Sequence, residues 1–440
     1  MLRTMKPRRL IGIKFPTDNS EKHFRARVQN SFVLRRFNPR NHFFNETYMG
    51  FLSGSMTFER FQIVEDPTAE FGESHLEKLK KFQVGTAKTN LYEQPNMGFV
   101  AGQHLLDVDF DYAKNVVGEA LHFGVRVDSC QIPSPIKKAW MQIELAPMLV
   151  DNPSGKPSKA QRQEAKEAVE ARCADEADKG NFRRMAETSV LWDAETDMIF
   201  LGTTSEKSSD VCLDLLERAF GIELARVTSG RLALNYANES DLYAELCDVQ
   251  PTAFHAHTAP HVVWWNGMSE NFDYLGNEFL LWLWWRWEMN SDMIDLPDGT
   301  SVSGMFARSL TLDCPQGEFG KESISSDSPV ALPETAMAVR MGKLPRKAGL
   351  TLVREGEQYD LTLQAERFSV GGARITQVAK DAGDLRDRED RINSVRELCA
   401  TVDLLFEAFC RQRIGKSWKS ESAEISKWLQ KDTLKHRKAA

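Results

Sequence analysis

Three histidines, His255, His257 and His261, fall close together in "FHAHTAPH". Imidazoles at that spacing, joined by Asp273 or Glu278, form a donor set suited to zinc, and a zinc ion with an open position would make the chain a hydrolase. A metal-bearing His-x-His pair is usually fixed on a rigid strand end, however, whereas this one lies in a loop containing Pro and Thr. Solvated or hydrogen-bonded histidines are the expected reading, and a zinc-dependent hydrolase is the alternative. No GxxxxGK[ST], GxGxxG or GxSxG motif is present, and no cysteine is paired in sequence with an obvious base. A protein without catalysis and without a cofactor is expected.

Cations are the other available chemistry. They cluster at Arg35, Arg36 and Arg40 around Phe37, at Lys137 and Lys138, from Lys156 through Arg162 and Lys166 to Arg172, at Arg183 and Arg184, and at Lys343, Arg346 and Lys347. A single charge run is an ordinary solvated face. Their succession across 137–184, on a helix with little to bury, is what a path along a phosphate backbone would need. With 56 basic and 63 acidic residues the net charge is −7, so a polyanion would have to meet such a local concentration and not the whole surface.

The elements that must position these groups follow from periodicity. Residues 6–128 alternate in short segments punctuated by Gly and Pro, which read as strands and turns, with an amphipathic helix in "ESHLEKLKKF". Pro133 and Pro135 set an extended approach to a helix expected from about Ile136 to Pro147. Ser158 is the expected N-cap of a helix rich in Ala, Glu, Lys, Gln and Arg that reaches Ala177. Residues 189–227 read as a ββαβ unit whose helix is capped near Ser208 or Ser209 and stopped by Gly221. Strands are expected over 301–376. Ile392, Val395, Leu398, Val402, Leu405, Phe406 and Phe409 then mark a long amphipathic helix.

The stretch "WWNGMSENFDYLGNEFLLWLWWRW" holds six of the ten tryptophans. Apolar side chains point in nearly every direction around its helical part, which predicts enclosure in a core; an assembly scaffold with a Trp-rich subunit interface is the other use for such a helix. A base-stacking platform would interleave its aromatics with Lys and Arg, and only Arg286 does so. The run "FLLWLWW" is far shorter than the ~20 residues of a membrane span.

At 440 residues, 42% hydrophobic and 27% charged, the chain has the composition of a folded protein with more than one core. Seven scattered cysteines without a CxxC pair suit reduced thiols in a cytosol. The basic start "MLRTMKPRRLIGIKF" has too short an apolar run for an export signal.

Taken in order, "IPSPIKKAWMQIELA", the charged helix, "FRRMAETSVLWDAETDMIFLGTTSEKSSDVCLDLLERAFG", "YDLTLQAERFSV" and "RELCATVDLLFEAF" resemble the recombination-associated protein RdgC family. The likeness covers about 96–232 and 358–414. About 242–348 exceeds the short family members, and the first 80 residues match loosely. The resemblance implies an α+β, horseshoe-like subunit, a head-to-head homodimer closed into a ring, DNA held in a basic hole without sequence reading, and limitation of RecA access to DNA. It places Lys137 and Lys138 just after the Pro-Ser-Pro element, and Phe182 with Arg184 in the ring-closing segment.

The combined expectation is an α+β chain with small mixed sheets, a projecting charged helix and a long C-terminal amphipathic helix. Its regions are a mixed α/β part at 1–135, the charged helix and ββαβ unit at 136–233, a Trp-rich helical module at 234–300, a β-rich part with the long helix at 301–415, and a polar tail at 416–440. The expected function is sequence-independent DNA binding in a cytoplasmic, nucleoid-associated protein, single- or double-stranded DNA left open, with no membrane contact. Lys137, Lys138, Arg162, Lys166, Arg172, Arg183, Arg184, Lys343, Arg346 and Lys347 are the expected DNA contacts, and Phe182 the dimer contact.

Overall fold

Among the described residues the alternating segments become thirteen strands joined in one sheet. The computed structural model describes residues 50–64, 70–86, 90–150, 155–254, 272–289, 293–315, 320–375 and 385–430, all within the compact unit Glu46–Ala440. The strands are β1 (Met56–Ile63), β2 (Asn96–Val100), β3 (Val116–Val117), β4 (Ala120–Cys130), β5 (Arg183–Asp193), β6 (Met198–Leu201), β7 (Leu224–Arg226), β8 (Met293–Asp295), β9 (Ser301–Asp313), β10 (Glu322–Ser326), β11 (Leu344–Arg354), β12 (Glu357–Gln364) and β13 (Val370–Ile375). They run in the order β10-β9-β11-β12-β13-β1-β6-β5-β4-β2, with β3, β7 and β8 attached at the sides. Every pairing of these strands is antiparallel, and the path does not close.

The fold is therefore α+β, as expected, but with a single long antiparallel sheet in place of small mixed ones. β1 makes the join. Its first half pairs with β13 (Met56↔Ala373, Phe58↔Val370) and its second half with β7, while its other edge carries β6. Strands more than 300 residues apart in sequence thus share one ladder.

The ββαβ unit consists of β5, β6, the helix Glu206–Phe220 and β7. Gly221 stops that helix in the left-handed region (φ 72°), where glycine has no Cβ to strain. Ser205 holds the cap position, three or four residues before the expected one, and Ser209 is turned inward and donates its hydroxyl to buried Glu59 at 3.2 Å. Phe123 and Val125 of β4 and Val190 and Trp192 of β5 face this helix and the helix Glu73–Lys81 in one core. Trp192 meets Phe220 edge-on at 5.0 Å.

A second core lies around the helix Leu275–Met289. Trp282, Trp284 and Trp285 are buried there, as predicted for a helix apolar on all sides. The helix lies so close to the sheet that a Cβ on Gly276 would sit 1.8 Å from the Ala365 carbonyl oxygen. The helix Leu385–Arg413 covers it with the expected stripe from Ile392 to Phe409, all seven named residues being buried.

The segment after 415 differs from a polar tail: Trp418–Gln430 is a helix. Its polar, Lys-rich composition conceals one face, on which Trp418, Ile425, Trp428 and Leu429 are buried and Trp428 meets Trp284 at 5.3 Å. Residues 431–440 lie outside the described residues.

Where these helices meet, Glu278 and Arg413 are both buried, with Arg413 Nε donating to Glu278 Oε2 at 2.6 Å. The Thr252 backbone N–H donates to Glu278 Oε1 at 2.6 Å, and a second Arg413 nitrogen donates to the Gln250 carbonyl at 2.6 Å. Removing one member of such a pair strands a buried charge, at about 3–5 kcal/mol. Arg413→Met should therefore destabilise the protein by that amount in urea unfolding followed by tryptophan fluorescence, and adding Glu278→Gln should restore part of it. A single variant within 1 kcal/mol of the parent would contradict this account.

Candidate nucleic-acid interface

Two helices, Ser134–Val150 and Lys159–Asp178, form a hairpin beside the polar ends of β4 and β5. The first begins two residues earlier than expected, since Pro135 in the first turn gives up no helical hydrogen bond. Pro147 lies inside it, three residues before its end. The second is capped as the sequence predicts: Ser158 Oγ accepts from the Gln161 N–H, and Gln161 Oε1 accepts from the Ser158 N–H. Its narrow buried stripe is Ala165, Val169, Cys173 and Ala177.

At the base of the hairpin Ile132, Trp140, Val169 and Cys173 form a small separate core, with Tyr92, Cys130 and Phe182 packed on it. Cations border this core. Lys137 Nζ stands 4.8 Å from the Tyr92 ring centroid and the Arg172 guanidinium 4.6 Å from that of Trp140. Arg183 bonds Asp128 at 2.7 Å, on the carboxylate that also receives Arg126, so two guanidiniums share one negative charge. Arg184 bonds the Gln131 side chain, and Lys138 is exposed. Burial raises the Tyr92 phenol, Cys173 adding to the rise and Lys137 opposing it, so it stays protonated beneath the ammonium.

The structure thus brings Lys137, Arg172, Arg183 and Arg184 around one small core, with Lys138 exposed beside Lys137 on the same helix, but it distributes the other expected contacts differently. Arg162 and Lys166 are exposed on the charged helix, where Lys166 lies 3.7 Å from Glu170. That helix carries four basic and six acidic side chains between Lys159 and Asp178, so its own charge is negative. Lys343 and Arg346 are turned to carboxylates of their own chain. Lys343 is buried against Glu322, and Arg346 bonds Glu366 at 2.7 Å and Asp313 at 3.3 Å, because the approach to β11 and the alternation along it turn both toward neighbouring strands. Only Lys347 of that group is exposed.

Phe182 has φ 57°, and its half-buried ring packs edge-on against Trp140 at 6.4 Å. His255, His257, His261, Trp264 and Trp265 lie outside the described residues, as does the cluster at Arg35, Arg36, Phe37 and Arg40.

Two groups that sequence reading missed resemble catalytic parts. His122 Nε2 lies 3.1 Å from Ser189 Oγ, a pair brought together by the β4–β5 register across 67 residues. Gly50 packs against it, since a Cβ there would lie 2.2 Å from Ser189 Oγ. Glu187, two residues along the same face, has both carboxylate oxygens buried without a hydrogen bond, and burial followed by Asp107 raises its pKa. Strand alternation was the only signal for either. The thiols of Cys212 and Cys399, pushed up to about 12 by burial, behave as the small hydrophobes expected of them.

No protein-family model matches this chain, and no curated protein matches it.

Burial, followed by Arg388, lowers the His122 pKa to about 4, so the folded protein holds a neutral imidazole. The unfolded chain takes up a proton near pH 6.5, which the folded state refuses until about pH 4. Stability from this group is complete above pH 6.5 and falls by up to about 3 kcal/mol as the pH drops to 4. Urea unfolding at pH 7 and pH 4.5 should show that loss reduced by about 2 kcal/mol in His122→Asn. An equal loss in both proteins would exclude His122 as its source.

Proposed function

We propose that the protein binds DNA without reading its sequence and performs no catalysis on it. Lys137, Lys138, Arg172, Arg183 and Arg184 meet successive phosphates at the base of the helical hairpin. The observation that carries this reading is the support of Lys137 on Tyr92 and of Arg172 on Trp140. A cation resting on a ring face is held in place without a carboxylate to neutralise it, so its outward N–H groups are left for phosphate oxygens.

The resemblance to the RdgC family extends the reading. Two subunits pair head to head into a ring around DNA, and the bound ring limits RecA access in the nucleoid. In this reading Phe182 contributes to that pairing through the edge of its ring that Trp140 leaves uncovered.

Binding of two unrelated duplexes and of a single strand, followed by fluorescence anisotropy from 50 to 200 mM salt, tests the proposal. The logarithm of affinity should fall linearly with the logarithm of salt, equally for both duplexes. Lys137→Gln with Lys138→Gln should weaken both duplexes alike and reduce the slope by about 2, at ~0.9 per phosphate contact. Affinity that is flat with salt, or confined to one sequence, would overturn the reading.

A further inference from the structure

Arg286, in the last turn of Leu275–Met289, and Arg411, in the last turn of Leu385–Arg413, line one cavity of about 620 Å³. That volume lies in the range of small-molecule sites, ~300–1,000 Å³. Neither arginine forms a short ion pair or hydrogen bond among the described residues, although Asp295 stands in the same wall and Glu407, one turn before Arg411, feels its charge. This sets them apart from Arg60, Arg346, Arg354, Arg396 and Arg413, each bonded to a carboxylate. The Arg286 guanidinium is held 5.6 Å from the Trp282 ring centroid and 6.0 Å from that of Trp285, on the packed face of the tryptophan helix. Helix dipoles account for a cation at each C-terminus. They do not account for both side chains facing one cavity.

We propose that this cavity binds a small organic phosphate. Two guanidinium forks can each take two oxygens of a phosphate dianion, with Gln412 beside them as a neutral donor. Asp295 repels a second anionic group and accepts from a hydroxyl of the same molecule, while Leu296 and Pro297 cover its apolar surface. The site is separate from the hairpin cations and does not depend on DNA binding.

Calorimetric titration with ribose 5-phosphate, inorganic phosphate and ribose tests the proposal on the full chain. Ribose 5-phosphate should bind saturably and ribose should not. Arg411→Gln, at an exposed position, should weaken ribose 5-phosphate at least about tenfold, and Arg374→Gln, exposed on β13, should leave it unchanged. Asp295→Asn should tighten inorganic phosphate while narrowing the preference for the sugar phosphate over it. Lack of saturable binding by ribose 5-phosphate, or equal binding by Arg411→Gln, would overturn the assignment. A loss of duplex affinity in Arg411→Gln without any sugar-phosphate binding would likewise overturn it, making the cavity part of a DNA surface.

Discussion

The helix from Leu385 to Arg413 must keep the apolar stripe from Ile392 to Phe409 covered along about 27 Å, and the rest of the structure is arranged around that requirement. No single partner element spans such a length. The helix is instead tied at successive stations to parts of the chain far away in sequence. Arg391 donates to the carbonyls of Phe51 and Gly54, Arg396 bonds Asp193 at the end of β5, Asp403 takes both nitrogens of Arg60 on β1, and Arg413 meets Glu278. Buried ion pairs contribute little net stability compared with apolar groups of the same size, but an unmatched buried charge is expensive. A slip of the helix by one turn would strand Asp193, Arg60 and Glu278 together, so these ties fix its register more than they add to its binding.

Much of this was legible where the signal is local. The stripe from Ile392 to Phe409, the Ser158 cap, the Gly221 stop and the enclosure of Trp282, Trp284 and Trp285 all follow from residues within a few turns of one another. The single sheet was not legible, because the pairing of Phe58 with Val370 leaves no mark in either segment alone. The closing helix was overlooked for a different reason: Ile425, Trp428 and Leu429 stand at helical spacing, but they are few in a segment whose composition is polar. Length and composition separate domains well only when the chain does not return to an earlier strand, and here β13 returns to β1.

Composition also says nothing about direction. Lys343, Arg346 and Lys347 form one basic run in the sequence, yet the fold turns one into the interior, pairs one with two carboxylates and exposes one. The partners of Arg346 are 33 and 20 residues away, beyond any local pattern. By contrast Lys137 and Arg172 are supported by rings, and a ring leaves the charge in place. In a chain with net charge −7, what matters for a polyanion is which cations the fold has left uncompensated, and that is a property of the pairing rather than of the count.

The aromatic content bears on the same question. A base stacks only on an open ring face. The Trp282 ring meets Phe409 at 5.7 Å and donates its N–H to Glu421, and the Trp284 ring lies between Phe306 and Trp428 while donating to Glu288. Trp140, the ring nearest the hairpin cations, has Phe182 at its edge and Arg172 over its face. These indoles are therefore taken up in positioning helices and cations. Contact through the hairpin residues would consist of charge against phosphate, an interaction that is the same at every base pair. Indifference to sequence would then be a consequence of where the rings are packed.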